Sequence, residues 1–207
     1  MLFYVLNQVE GELRYAFAAR LVIATAGELF LSLVWGLYTY RLDNVPLFVP
    51  PGHVLMLLLS LSLARRMSNM VAHAIIFSAG LYAVAGAAMG FDTFAIPLFL
   101  VLAAASFAMP AHRRLYASTF VCALALELYG TWLGNWTWAR DVPWLPLVTS
   151  NLPGVASAFY CALDALVAAT MLQAWGSRVA MNCKRLDIDI DLVANSSRYD
   201  CLELREN

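Results

Sequence analysis

Six apolar stretches of the chain have the composition of membrane-crossing helices, and short polar or proline-containing segments separate them. The stretches cover 16–40, 52–66, 69–90, 93–109, 115–138 and 153–175. A helix of about 20 mainly apolar residues crosses a bilayer, and Pro110 ends the fourth stretch because proline cannot continue the helical hydrogen-bond ladder. The pattern predicts an all-α, polytopic membrane protein with six transmembrane helices.

These stretches divide the chain into three parts. We expect residues 1–14 to form a cytoplasmic or interfacial segment, residues 15–176 the six-helix transmembrane domain, and residues 177–207 a polar cytoplasmic tail. The composition agrees, because 62% of the residues are hydrophobic and only 13% are charged, whereas soluble domains carry about 25% charged residues. We therefore expect the bilayer itself as a partner, and no nucleic acid, since no basic and aromatic surface pattern is present. The sequence indicates no oligomeric state.

The distribution of basic residues predicts the orientation in the membrane. In the six-span arrangement, most of them fall on one side and only Arg41 and Arg140 on the other. Positively charged loops stay in the cytoplasm. We therefore expect a multi-pass protein of the cell membrane with both termini cytoplasmic, and with the two proline-rich aromatic loops outside.

Two segments, 28–52 and 127–154, share an order of residue types about 98 residues apart. In each, a Glu is followed by a Gly, two aromatic residues around a Thr, an Asp and a Val-Pro pair; the aromatic residues are Tyr38 and Tyr40 in the first, and Trp136 and Trp138 in the second. The match predicts an internal duplication in which helices 1–2 correspond to helices 5–6. An even number of spans separates the copies, so the repeat is parallel, with a pseudo-two-fold axis along the membrane normal.

Three carboxylates lie inside the apolar stretches: Glu28, Glu127 and Asp164. Counted from the outer ends of their predicted helices, all three lie about 17 Å deep at a rise of about 1.5 Å per residue. A charge at that depth costs roughly 2.5–3.5 kcal/mol on insertion scales. We therefore expect each group to be protonated, paired, metal-bound or in a wet cavity, and we interpret the three as candidate catalytic residues. The alternative is that each is a neutral carboxyl bonded to a neighbouring helix.

Further candidates surround these carboxylates. His53, at the outer rim of the second span, and Asn151, its approximate counterpart in the later copy, are candidate substrate-binding residues together with Tyr38, Tyr40 and the two tryptophans. Arg20 lies two turns before Glu28, where it either snorkels or pairs within the bundle. Gly130 and Gly134 have the spacing of a small-residue helix-packing motif. No histidine pair has metal-site spacing and no glycine-rich phosphate loop is present, so we predict no cofactor; the pattern leaves open a metal held by carboxylates.

The order of Glu28, Gly36, Tyr38, Tyr40, Val45-Pro46-Leu47 and Pro50 resembles the membrane family of carotenoid-biosynthesis proteins that includes the bacterioruberin-type carotenoid hydratases. The second copy, from Glu127 to Trp138, is similar with Trp in place of Tyr. The chain departs from that family at Pro51-Gly52-His53, where an apolar and aromatic stretch is expected. The resemblance implies a membrane enzyme that acts on a long isoprenoid.

Two functions fit these observations, and a structural or assembly subunit is a third. The first is an enzyme that performs acid–base chemistry (hydration, isomerisation or cyclisation) on a lipid-soluble isoprenoid or carotenoid. Glu127 and Asp164 would then form the acid–base pair and Glu28 would stabilise developing positive charge. The second is a six-helix transporter, or a substrate-binding subunit, for a small molecule or cation, which membrane carboxylates and a parallel repeat also suit.

Overall fold

The computed structural model describes residues 11–151 and 153–185, including the side chains of 14–151 and 153–171. The chain is mostly helical. In order it forms α1 (Gly11–Glu28), a π-helical turn (Leu29–Val34), β1 (Tyr38–Tyr40), α2 (Val49–Ala64), α3 (Asn69–Ala88), α4 (Ala95–Ala108), a 3₁₀ turn (Pro110–His112), α5 (Arg113–Trp132), β2 (Trp136–Trp138) and α6 (Ala158–Arg185). The expected segments at 1–14 and 177–207 lie largely outside the described residues.

The chain divides into two compact units, Met1–Val167 and Ala168–Asn207. The second is described only over 168–185, where it is helical. The first contains α1 to α5, both strands and the beginning of α6. All side chains considered below belong to the first unit.

Local sequence explains several helix ends. Pro50 and Pro51 lie in the first turn of α2, where a missing backbone N–H costs nothing because that N–H would have no helical partner. Ser68 caps α3, its hydroxyl accepting a hydrogen bond from the N–H of Val71 at 3.2 Å. At Pro110 the chain bends by 112° between α4 and the helical stretch that follows. The prediction that Pro110 ends a helix is therefore confirmed.

Two of the described helical stretches, Arg14–Val34 and Asn69–Ala88, are long and apolar enough to cross a membrane. They become three if the bent pair Ala95–Ala108 and Pro110–Trp132 is counted as one span. Val49–Ala64 and Ala158–Met171 are apolar but shorter. The fold is thus compatible with a membrane protein, and the six-span arrangement stays a prediction.

The helices pack into a bundle in which α2 lies against α1 and α5, and α3 against α4 and α5. A large apolar cluster fills the bundle beneath the two strands, with Leu37, Leu102 and Tyr116 among its fully buried members. A smaller cluster of Phe17, Val54 and Leu57 joins α1 to α2. The packing leaves space between α1, α2, α5 and α6 near the strands, where the candidate site lies.

The expectation that helices continue through both aromatic pairs is wrong. The first helical stretch ends at Val34 and α5 ends at Trp132, and each aromatic pair lies in a strand. The cause is a glycine in the left-handed region after each helix, Gly36 at φ 72° and Gly134 at φ 67°, a conformation that glycine adopts without a steric penalty. The fold is therefore not purely helical, and Gly134 is not part of a helix-packing motif.

Candidate functional site

The two strands pair with each other in an antiparallel, two-stranded sheet. Tyr38 lies opposite Trp138, Thr39 opposite Thr137 and Tyr40 opposite Trp136. Because side chains alternate along a strand, the threonines are exposed and the four aromatic residues point into the bundle. The ring centroids of Tyr38 and Trp138 are 4.8 Å apart, and those of Tyr40 and Trp136 are 6.0 Å apart. The sheet therefore places all four aromatic candidates together.

Glu28, the last residue of α1, accepts three hydrogen bonds within the bundle. The hydroxyls of Tyr38 and Tyr40 both donate to Oε2 at 2.6 Å, and Nε2 of His53 lies 2.7 Å from Oε1. Glu28 is 7% exposed and His53 is 7% exposed. Burial, followed by the neighbouring Glu28 charge, raises the pKa of both tyrosines above the ordinary value, so their hydroxyls remain donors. These four residues are called the Glu28 cluster.

Glu127, five residues before the end of α5, is held in a corresponding way by neutral donors. The indole N–H of Trp136 donates to Oε2 at 2.9 Å and that of Trp138 donates to the same oxygen at 3.4 Å. The hydroxyl of Tyr160, on α6, donates to Oε1 at 3.0 Å. These four residues are called the Glu127 cluster. In both clusters the carboxylate is thus bound by the two aromatic residues of the strand that follows its helix.

One cavity of about 450 Å³ joins the two clusters. Glu28, His53, Glu127 and Tyr160 line it together with the four strand aromatics, and the rest of its wall is mainly aliphatic and aromatic. The rings of His53 and Tyr160 stack within it at a centroid distance of 4.9 Å and an interplanar angle of 20°. The volume lies in the range of small-molecule sites, about 300–1,000 Å³.

Asp164 makes a separate cluster deeper in the bundle. Its Oδ1 forms an ion pair with Nη1 of Arg20, and its Oδ2 accepts a hydrogen bond from the hydroxyl of Thr119 at 2.6 Å. Arg20 is 0% exposed. Arg20 and Thr119 each lie eight residues before a cavity glutamate, so this cluster joins α1, α5 and α6 about 12 Å below the glutamates at a rise of about 1.5 Å per residue.

The structure does not bring Asp164 together with Glu127 as the expected pair, and Asp164 is absent from the described residues that line the cavity. The start of α6 is already buried, since neither Ser157, just before it, nor Ala158, its first residue, has exposed surface. The partners of Asp164, Arg20 and Thr119, show that it lies deeper than a count from Pro153 suggests. The equal depth expected for the three carboxylates is therefore wrong. The helical stretches that carry Glu28 and Glu127 end before the aromatic pairs, so these two glutamates lie nearer the outer ends of their helices than was expected.

Two other expected positions differ from the structure. His53 is not at the rim but buried, because its imidazole bonds Glu28 on α1 and stacks on the ring of Tyr160 on α6. Asn151 does not line the cavity; its side-chain carbonyl accepts a hydrogen bond from the backbone N–H of Trp138 at 3.0 Å and so holds β2. Gly130 does face its neighbours closely, but the neighbour is the ring of Trp136 rather than another helix.

Sequence reasoning missed the roles of Tyr160 and Asp92. Tyr160 lies one helical turn before Asp164 on the same face of α6, and this spacing was the available signal. Asp92 is fully buried in the turn between α3 and α4. It accepts hydrogen bonds from the Ala95 N–H at 3.1 Å and the Ser150 hydroxyl at 3.2 Å, so it holds the loop after β2 against this turn.

Among the described residues, no group of three or more His, Cys, Asp or Glu side chains is arranged to hold a metal ion. The comparisons add no family to this picture: no protein-family model, no curated protein and no solved structure matches the chain.

Proposed function

We propose that this protein is a membrane enzyme that performs acid–base chemistry (hydration, isomerisation or cyclisation) on a lipid-soluble isoprenoid of the carotenoid type. One observation carries the proposal: two buried carboxylates face the same apolar, aromatic-walled cavity, and each is held by three donors. Such a site combines groups that transfer protons with walls that bind hydrocarbon.

Glu127 is the general acid in this proposal. All of its partners, the two indoles and the Tyr160 hydroxyl, are uncharged. Glu28 instead lies against His53, which can carry a positive charge. In an apolar site, a carboxyl without a cationic partner keeps its proton more readily and is the better general acid. A carboxylate beside an imidazole instead stabilises the proton that the imidazole takes up.

The step we propose conserves protons and charge. The Glu127 carboxyl transfers its proton to one carbon of a C=C bond, which leaves a carbocation on the other carbon and a carboxylate on Glu127. The carbocation then loses a proton from an adjacent carbon to His53, which gives an isomerised double bond. In a cyclisation a second C=C bond attacks the cation before that loss, and in a hydration a water molecule adds and gives its proton to His53. The proton returns from His53 to Glu127 through solvent.

The aromatic side chains suit the intermediate cation. Tyr38, Tyr40, Trp136 and Trp138 all line the cavity, and a cation over an aromatic face gains about 0.5–2 kcal/mol. The carboxylate of Glu28 adds a counter-charge. Glu28 and His53 thus take the role expected of Asp164, which instead neutralises Arg20.

We further propose the six-span arrangement in the cell membrane, with both termini cytoplasmic and with a parallel repeat of helices 1–2 in helices 5–6. The pairing of the two strands supports the parallel repeat. A two-fold axis that passes between Thr39 and Thr137 relates the two antiparallel strands to each other. The glycines after both helices and the matching donors to both glutamates agree with it. Single cysteines at Thr39 and Arg65 should react with a membrane-impermeant reagent from opposite sides; labelling from one side contradicts the arrangement.

The enzymatic proposal is tested by deuterium incorporation. The purified protein, in lipid, is incubated with an acyclic carotenoid in D₂O, and the extracted lipid is analysed by mass spectrometry. We expect deuterium in the product, and its loss by at least about 100-fold in Glu127→Gln, since a general acid contributes about 10²–10⁴-fold. The exposed Asp43→Asn is the matched control and should behave as the native protein. Equal incorporation by native protein and Glu127→Gln contradicts the proposal.

A carrier or binding subunit is the second candidate. The tyrosine hydroxyls and the indoles of both clusters donate to the two glutamates, and among the described residues of the clusters Nδ1 of His53 is the buried polar atom that has no partner. The cavity therefore offers a lipophilic ligand a mainly apolar wall. Recovery of an unchanged, water-insoluble ligand with no deuterium would favour this candidate. A water-soluble ligand or cation would favour the transporter.

A further inference from the structure

Tyr160, a member of the Glu127 cluster, also contacts the Glu28 cluster, with a different part of its side chain. Its hydroxyl donates to Oε1 of Glu127 at 3.0 Å, and its ring stacks on the ring of His53 at 4.9 Å. His53 in turn reaches Oε1 of Glu28 at 2.7 Å. The strands also bring the clusters into contact, but through ring edges and faces of Tyr38, Tyr40 and the tryptophans. Tyr160 connects a titratable group of one cluster to a titratable group of the other.

Both contacts of Tyr160 depend on the charge of the partner. A hydrogen bond to a carboxylate is roughly twice as strong as one between neutral groups, so the hydroxyl binds Glu127 most strongly after Glu127 has lost its proton. The stack on His53 is strongest when the imidazole is positive, because a cation is attracted to the face of an aromatic ring within about 6 Å. The same side chain therefore favours the loss of a proton at one end and its gain at the other.

We infer that Tyr160 is a further catalytic residue, which couples the protonation of Glu127 to that of the His53–Glu28 pair and stabilises the state in which the proton has moved between them. This inference rests on the proposed acid–base function. It assigns to α6 a direct part in the chemistry. The buried Arg20–Asp164 pair holds α6 one turn after Tyr160.

The charged and titratable groups around this contact come from every element that surrounds it. Glu28 lies on α1, Tyr38 and Tyr40 on β1, His53 on α2, Glu127 on α5 and Tyr160 on α6. The tyrosines of β1 donate to Glu28 and the indoles of β2 donate to Glu127. Among these described groups, Tyr160 joins Glu127 to His53 through a hydrogen bond to the first and a ring stack on the second.

The experiment measures the titration of Glu127 in the ligand-free protein by infrared spectroscopy. The carboxyl band of Glu127 is the one lost in Glu127→Gln. The shift in its titration midpoint that His53→Gln causes is measured in three backgrounds. The first has native Tyr160, the second has Tyr160→Phe, which keeps the ring, and the third has Tyr160→Leu, which removes both contacts. Tyr116→Phe is the control, since Tyr116 is also buried but its hydroxyl contacts the sulfur of Met109 outside the cavity.

With Tyr160 present, we expect His53→Gln to move the midpoint of the Glu127 band. This displacement should fall by more than about half in Tyr160→Phe and vanish in Tyr160→Leu, and Tyr116→Phe should leave it unchanged. An equal displacement in all backgrounds overturns the inference, because the coupling would then act through the general field. Should Tyr160→Leu fail to fold, Tyr160→Phe decides the result.

Deuterium incorporation distinguishes this inference from the proposed function. If the native protein incorporates no deuterium but the displacement depends on Tyr160, the coupling stands and the enzymatic proposal fails. If deuterium is incorporated and the displacement is the same with and without Tyr160, the enzymatic proposal stands and the coupling fails. Where both stand, Tyr160→Phe should lower kcat by about 10-fold or more with little change in KM. The reason is that the bond from the native Tyr160 hydroxyl to Glu127 strengthens only as the proton leaves Glu127.

Discussion

The six-membered ring of Trp136 occupies the position at which a Cβ atom on Gly130 would lie. Gly130 is on α5, three residues after Glu127, and its missing side chain lets the indole come close enough to the helix for the indole N–H to reach Glu127 at 2.9 Å. The glycine thus contributes to the site through the space it leaves. The hydrogen bond of Trp136 depends on that space.

Gly130→Ala should therefore displace Trp136 and break its bond to Glu127. Overpacking of this kind costs about 1–3 kcal/mol, and the tryptophan emission should shift as the indole moves. Gly27→Ala is the matched control, because nothing lies within 4 Å of a Cβ at that position. Thermal unfolding and fluorescence of both variants check the prediction, and a Gly130→Ala protein as stable as Gly27→Ala contradicts it.

The ion pair of Arg20 and Asp164 should matter mainly when only one partner is removed. A buried charge that loses its partner destabilises a protein by about 3–5 kcal/mol, whereas replacement of both by apolar residues is often nearly neutral. We expect Asp164→Asn to show a loss of this size and the double variant Arg20→Leu with Asp164→Leu to recover most of it. Unfolding in denaturant, with the exposed Asp43→Asn as control, measures both. A loss below about 1 kcal/mol in Asp164→Asn would show that Arg20 finds another partner.

Asp92 should give the fold a pH dependence. Burial raises the pKa of its carboxyl above the ordinary value, although hydrogen bonds from Ser150, Gly154, Ala95 and Tyr82 oppose the shift. The folded state therefore binds this proton more tightly than the unfolded chain does. The stabilisation is complete below the ordinary pKa of about 3.9 and is lost as the pH rises through the higher folded-state pKa.

Asp92→Asn keeps an oxygen that can accept the bond from the Ala95 N–H but has no proton to lose. Its free energy of unfolding should fall less between about pH 4 and pH 7 than that of the native protein. Denaturant unfolding at a series of pH values checks this. Asp43→Asn, at an exposed position, should keep the native pH dependence, and the same slope in all three proteins would contradict the role of Asp92.

The aromatic pairs and the glutamates of the candidate site could be named from the sequence, because residue type and order were repeated. Their mutual geometry could not. Hydropathy treats Tyr38 and Trp138 as interfacial residues that continue a helix, whereas a left-handed glycine after each of the two helices turns the chain back into the bundle. The contact of two segments about 100 residues apart is a property of the tertiary structure.

Asp164 shows a related limit. Its spacing from Pro153, where the sixth apolar stretch begins, predicted the same depth as that of Glu127. The depth of a residue, however, follows from where its helix begins relative to the neighbouring helices. Asp92 was missed because it belongs to a short turn with no recognisable pattern, and its partners, such as Ser150, lie far away in the sequence. Local patterns identify such groups by type alone, and packing decides which of them meet.

The ion pair that fixes α6 also has a consequence for the order of synthesis. Arg20 emerges from the ribosome 144 residues before Asp164, which corresponds to about 7–30 s at about 5–20 residues per second. During that interval a candidate membrane span carries a positive charge whose final partner does not yet exist. A charged side chain in a membrane span is costly without a partner, so this pair can stabilise α1 only after Asp164 has been made. The contact between α1 and α6 through this ion pair is therefore a late one in synthesis.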